Sequence, residues 1–95
     1  MDIYQLKTFI AVARERSITR ASEVLHLSQP AVSAHIKAIE DALGLSLFER
    51  TPKGMSLTAE GQRLLAKAEQ TIAAHQELLD EATRAKGRVA GKLRL

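Results

Sequence analysis

The chain contains no cysteine and no tryptophan, and its aromatic complement is one tyrosine and two phenylalanines. Without cysteine, neither a disulfide framework nor a thiolate metal site is available. With so few aromatics, Leu, Ile, Val and Ala must fill the core. No run of about 18 apolar residues occurs, so no membrane span is expected, and the N-terminus lacks the pattern of a signal peptide. These absences make the protein read as cytoplasmic. A Gly-rich phosphate loop, a metal-ligand set and a nucleophile beside a base are missing too. Catalytic residues, cofactors and metals are therefore expected to be none. What is present is 95 residues, enough for one small domain, with 45% hydrophobic residues and a net charge of +3. The charge leans weakly toward an anionic partner.

The patterning is mostly helical. Ile3, Leu6, Phe9, Ile10 and Ala13 recur at steps of three and four, which lines one face of a helix, closed by Arg14, Glu15 and Arg16. Ser17 is a candidate N-cap for a short helix with Ala21, Val24 and Leu25 as its apolar face. Ser28 offers another cap, and Pro30 stands in the first turn, where a missing N–H is harmless. Val32, Ile36, Ile39 and Leu43 then mark a third helix ended by Gly44.

The stretch "LGLSLFERTPKGMSLT" changes character. Leu47-Phe48 and Met55-Ser56-Leu57 flank "ERTPKG", a turn by its Pro and Gly, which predicts a small β-hairpin with Arg50 and Lys53 near its tip. Thr58 caps a long fourth helix, with Glu60 near its positive end. Gly61, Leu65, Ala68, Ile72, His75, Leu79 and Ala82 step alternately by four and three, a heptad seam. From Thr58 to Ala85 this helix would run roughly 40 Å. Its stripe outruns so small a core, and a second copy of the same helix is the simplest cover. In "GRVAGKLRL", Val89 and Leu93-Arg94-Leu95 read as the start of a strand at the entrance to a further domain, or else as a frayed basic tail.

Helix, short helix, helix, hairpin, helix is the order of a winged helix-turn-helix, a mainly α fold of three helices and a β-hairpin wing, here followed by a long linker helix. The major groove of DNA admits one α-helix. At the start of the third helix, Gln29, Pro30, Ser33 and Ala34 are small or flexible and let the backbone come close to base edges. Gln29 can pair with adenine N6 and N7, Ser33 with donors or acceptors, and Pro30 and Ala34 with thymine methyls.

The linked motifs "SITRAS", "VLHLSQPAVS", "LFER" and "LTAEG", in this order, resemble the N-terminal DNA-binding domain of LysR-type transcriptional regulators. The likeness runs from about residue 2 to the tail. It implies residues 1–57 as a winged helix-turn-helix domain that binds double-stranded DNA sequence-specifically. Residues 58–86 would be the linker and dimerisation helix, its N-terminal part packed on the domain. Residues 87–95 would be a hinge and the start of a periplasmic-binding-protein-like effector domain lying beyond this chain. A small-molecule effector would bind only there. The assembly implied is a homodimer, or in the full-length protein a tetramer built from dimers, with antiparallel linker helices. The family's DNA-contacting positions map onto Thr19, Arg20, Gln29, Pro30, Ser33 and Arg50 with the wing. Many relatives carry a basic residue where this chain has Ala34, so specificity here leans on A·T features, DNA shape and the wing.

Further candidates are Arg20 and Lys37 for phosphates, His35 for a phosphate from the exposed side of the third helix, and Lys53 for the minor groove. Leu65, Ala68, Ile72, His75 and Leu79 are the dimerisation candidates, with His75 a register device in the seam and His26 a surface residue. Blander readings stand beside these. Gln29 and Ser33 can be a solvated first turn, Arg50 can pair with Glu49 or Glu40, and Lys53 can be an ordinary loop lysine. The whole chain can be a helical dimerisation module with incidental charge, and an enzyme is the remaining rival.

Overall fold

A computed structural model describes residues 1–93. Helix α1 spans Ile3–Glu15, α2 Ile18–Leu25 and α3 Gln29–Leu43; strands β1 (Phe48–Thr51) and β2 (Gly54–Leu57) follow, then α4 (Ala59–Leu93). Each boundary has a local chemical cause. Asp2 and Gln5 form a reciprocal capping box at α1, with the Gln5 N–H donating to the Asp2 carboxylate at 2.9 Å. Ser17 and Ser28 cap α2 and α3 as expected, accepting from the Arg20 and Ala31 N–H groups. Gly44 closes α3 with φ 68°, while α1 and α2 end on non-glycine residues in the same left-handed region, Arg16 (φ 55°) and His26 (φ 56°). A side chain in that conformation costs about 1 kcal/mol relative to glycine.

The core is built where α1, α2 and α3 converge under the hairpin. Phe9, Val12, Val32, Ile39 and Leu47 are fully buried, and Phe9 meets Phe48 edge-on at 5.6 Å between centroids. Two expected core residues lie outside it: Val24 is 59% exposed and Leu43 39%. On the eight-residue α2, Ala21 and Ser22 are the buried positions instead. The Ser22 hydroxyl is satisfied by donating to the Thr19 carbonyl.

The hairpin is more extended than its sequence suggests. Glu49, Arg50 and Thr51 belong to β1, so the turn is Pro52-Lys53 alone, and Arg50 faces Met55 in mid-strand rather than near the tip. Three ties hold the hairpin down. The Met55 N–H donates to the Arg16 carbonyl at 3.0 Å. The Glu40 carboxylate, on α3, accepts from the Leu47 N–H at 2.7 Å and more weakly from that of Phe48. Thr58 donates its N–H to the Leu47 carbonyl and its hydroxyl to that of Ser46. Gly54 is required twice over. Its φ is 121°, and a Cβ there would collide with the Arg16 carbonyl oxygen.

Helix α4 departs furthest from expectation. It continues through Gly87 to Leu93, so Val89 and Leu93 are helical rather than the start of a strand; Arg94 and Leu95 lie outside the described residues. At 35 residues it measures about 52 Å. The radius of gyration is accordingly 17.1 Å, against about 12 Å for a compact chain of this length. The seam divides into two parts. Gly61 abuts the Leu47 carbonyl, Ala68 is buried, and Leu65 and Ile72 pack half-buried on the domain's own core. Beyond His75, Leu78 and Leu79 are 67% and 48% exposed. Ala68, placed among the dimerisation candidates by the seam, is thus buried against its own domain.

Candidate nucleic-acid interface

The N-terminal turns of α3 carry the residues of interest because the opposite face is occupied. Val32, Ile36 and Ile39 are buried, which turns Gln29, Pro30, Ser33 and Ala34 outward. The hairpin stands beside this face, and the start of α2 closes the third side. Thr19, Gln29, Ser33 and Arg50 line one open recess there of about 370 Å³. Ser33 and Arg50 also border the next recess along α3, which Lys37 lines. Four of the residues expected from sequence are thus brought together, and Lys37 is adjacent.

The electrostatics of this face are set by which cations lack partners. Among the described residues, no ion pair involves Arg20 or Arg50. Arg50 pairs with neither Glu49 nor Glu40 among the described residues, and the Glu40 carboxylate is engaged with the backbone of Leu47 and Phe48. Lys37 approaches Asp41 at 3.9 Å, but both are well exposed, so the pair holds the lysine only loosely. Exposed guanidinium and ammonium groups beside a small polar helix face make a surface suited to a polyanion with readable edges.

Two expected site residues are placed differently. His35 is half-buried and turned toward α1, with Nδ1 at 2.8 Å from the Thr8 Oγ1. The Thr8 hydroxyl has one proton, and with that proton on the Tyr4 carbonyl at 3.0 Å, the Nδ1–H of His35 is the donor. His35 is therefore a cross-helix tie and not a residue of the exposed side. Lys53 is exposed but lines a different recess, on the opposite flank of the hairpin, together with Arg16. Ser17, Ile18 and Pro52 border the α3 recess without having been expected there. Their adjacency to Thr19 and to the hairpin turn was the available signal.

A second surface feature is an apolar groove of about 550 Å³ between α1, α2 and α4, lined in part by Ile10, Val24, Leu25 and Ile72. The Arg14–Glu69 ion pair, at 3.3 Å, lies at its rim. Among the described residues no group of three or more His, Cys, Asp or Glu could hold a metal ion. No helix there is long and apolar enough to cross a membrane.

Comparison with known proteins fits this geometry. The family model described as bacterial regulatory helix-turn-helix protein, lysR family, matches residues 3–62. The chain is 39% identical over 90 residues to the HTH-type transcriptional regulator PcaQ of Agrobacterium fabrum, covering 95% of this chain and 29% of that protein. It is 42% identical over 94 residues to the HTH-type transcriptional regulator BsdA of Bacillus subtilis, covering 98% of this chain and 32% of that protein. The chain thus spans about a third of the length of these relatives or less. Among solved structures it is similar to the DNA-binding domain of CbnR in complex with DNA, with a TM-score of 0.86 and 36% identity, covering 90% of this chain and 98% of that one. It is likewise similar to the BenM DNA-binding domain bound to catB site 1 DNA, with a TM-score of 0.86 and 29% identity, covering 90% and 96%. The architecture is that of a winged helix-turn-helix.

Proposed function

Since the chain belongs to the lysR family of bacterial regulatory helix-turn-helix proteins, we propose that it is the sequence-specific DNA-binding part of a transcriptional regulator. Helix α3 enters the major groove by its N-terminal face. Gln29 and Ser33 read base edges, Pro30 and Ala34 allow close approach, and Arg50, Arg20 and Thr19 hold phosphates around them. The observation that carries this reading is the single recess in which Thr19, Gln29, Ser33 and Arg50 meet, with no carboxylate lining it. Residues 1–57 would then do the reading, and the exposed distal half of α4 would pair with a second copy through Leu78 and Leu79. Two copies bring two recognition helices to one duplex, the usual arrangement for an operator with two half-sites. In the whole protein, binding of an effector by a further domain and control of transcription complete the proposal.

Selection of bound sequences from a random duplex pool, followed by salt titration on the winning site, tests it. Enrichment of a defined sequence is expected, together with a steep negative slope of log K against log salt. Recovery of a random pool would leave only a basic surface, and the sequence-specific reading would fall.

A further inference from the structure

We propose that Arg16 and Lys53 form a second phosphate-holding cleft on the far flank of the wing, which takes the duplex backbone outside the stretch read by α3. This rests on the DNA-binding reading above.

The first observation is the conformation of Arg16. Its φ of 55° and ψ of 27° put a long side chain where glycine fits without strain. The position has two backbone tasks: its N–H donates to the Val12 carbonyl and its carbonyl accepts from Met55. Glycine would perform both. The arginine side chain is therefore not needed for the backbone geometry; it is exposed and, among the described residues, in no ion pair. His26 shares the backbone conformation, but lines none of the recesses beside the wing.

The second observation is where Arg16 lies. It lines a recess of about 310 Å³ with Lys53, Thr51, Ser56 and Gln62, and no acidic residue lines that space. Two cations, the Ser56 hydroxyl and the Gln62 amide are a donor set for phosphodiester oxygens. The guanidinium offers paired N–H groups and the ammonium a point charge. The lysine's backbone is steadied by its N–H bond to the Thr51 hydroxyl, which itself donates to the Gly54 carbonyl. This recess adjoins the α3 recess, since Thr51 and Met55 line both. A duplex backbone passing the hairpin would meet one and then the other.

The test uses the selected site in two duplexes, one trimmed to the bases that selection enriches and one extended by about half a helical turn on each side. Arg16→Gly is expected to fold at least as well as wild type, with an unchanged or higher melting temperature, because glycine suits the left-handed position. On the extended duplex it should reduce the magnitude of the salt slope by about 0.9 for each phosphate that the protein no longer neutralises. The enriched bases should stay the same, and on the trimmed duplex it should match wild type. Arg16→Lys, which keeps the charge, should retain most of the slope. An unchanged slope for Arg16→Gly on the extended duplex would overturn the cleft while leaving α3 as the reader. An equal reduction on both duplexes would put Arg16 inside the read stretch and overturn the flank assignment. Failure of the wild type to prefer any duplex would instead sink the DNA-binding reading itself.

Discussion

Gln29 is the first residue of α3, with an exposed side chain that makes no hydrogen bond among the described residues, so truncating it leaves the fold nearly untouched. On the preferred duplex, Gln29→Ala should cost about 1–3 kcal/mol and relax the choice at one base pair. Affinities for the preferred site and its single-base variants at fixed salt check this; equal weakening on all of them would make Gln29 a positioning residue. Arg50→Ala should act oppositely, weakening every duplex alike and reducing the salt slope by about one. Thr8 makes a different kind of prediction. Replacing it with valine keeps its shape but strands the Nδ1–H of His35, which should lower stability by about 0.5–1.5 kcal/mol in chemical denaturation. The Thr8–His35 tie was not legible in sequence. The partners are 27 residues apart, and nothing in one-dimensional spacing marks which side of a helix a histidine will choose. Gln29 and Ser33 were legible because the buried stripe on the same helix fixes where they point.

The hairpin and α4 set the predictions at the scale of elements. Gly54→Ala should destabilise the domain by more than about 1 kcal/mol, on the order expected for strain plus a backbone collision, because both its φ and its closeness to the Arg16 carbonyl exclude a Cβ. Thermal unfolding, together with faster exchange of the Met55 amide, would register it. Near the far end of α4, Glu81 accepts from Arg84 at 2.8 Å and Arg88 at 3.0 Å, and these guanidinium groups hold its carboxyl below the usual carboxylate range. A lowered folded-state pKa gives support that is fully present above the ordinary glutamate range and lost as pH falls through the lowered value. Cα chemical shifts of residues 81–89 should therefore drift toward coil values on acidification, and in Glu81→Gln that pH response should vanish. The capped starts of α2, α3 and α4 were legible because Ser17, Ser28 and Thr58 act on their own neighbours. The run of α4 past Lys86 was not. Each glycine in a helix costs only about 1 kcal/mol, which the Arg, Ala, Lys and Leu around Gly87 tolerate, so the composition shift broke nothing. The hairpin's ladder likewise absorbed Glu49–Thr51, whose polarity reads as a turn but suits an exposed strand.

For the whole molecule, the question is how the 64 Å long particle covers its distal stripe. Leu79→Asp lies on the exposed part of α4 and should abolish self-association in sedimentation while leaving the melting temperature of the dilute protein unchanged. Ile72 is a poorer choice, since it packs half-buried on its own domain and an acid there would disturb folding as well. A heptad stripe cannot announce which of its residues pack at home, as Ala68 does. The three ties of the hairpin bear on the molecule as a machine. Arg16 grips it from the α1–α2 turn, Glu40 from α3 itself, and Thr58 from the foot of α4. The gap between α3 and the wing is therefore that of a caliper with its jaws locked. A duplex, with a persistence length of about 50 nm, is the softer partner, so the bending needed to seat both jaws falls on the nucleic acid. Duplexes pre-curved toward the wing should then bind more tightly than straight ones of identical contacted sequence, and loosening the jaw with Glu40→Gln should shrink that preference.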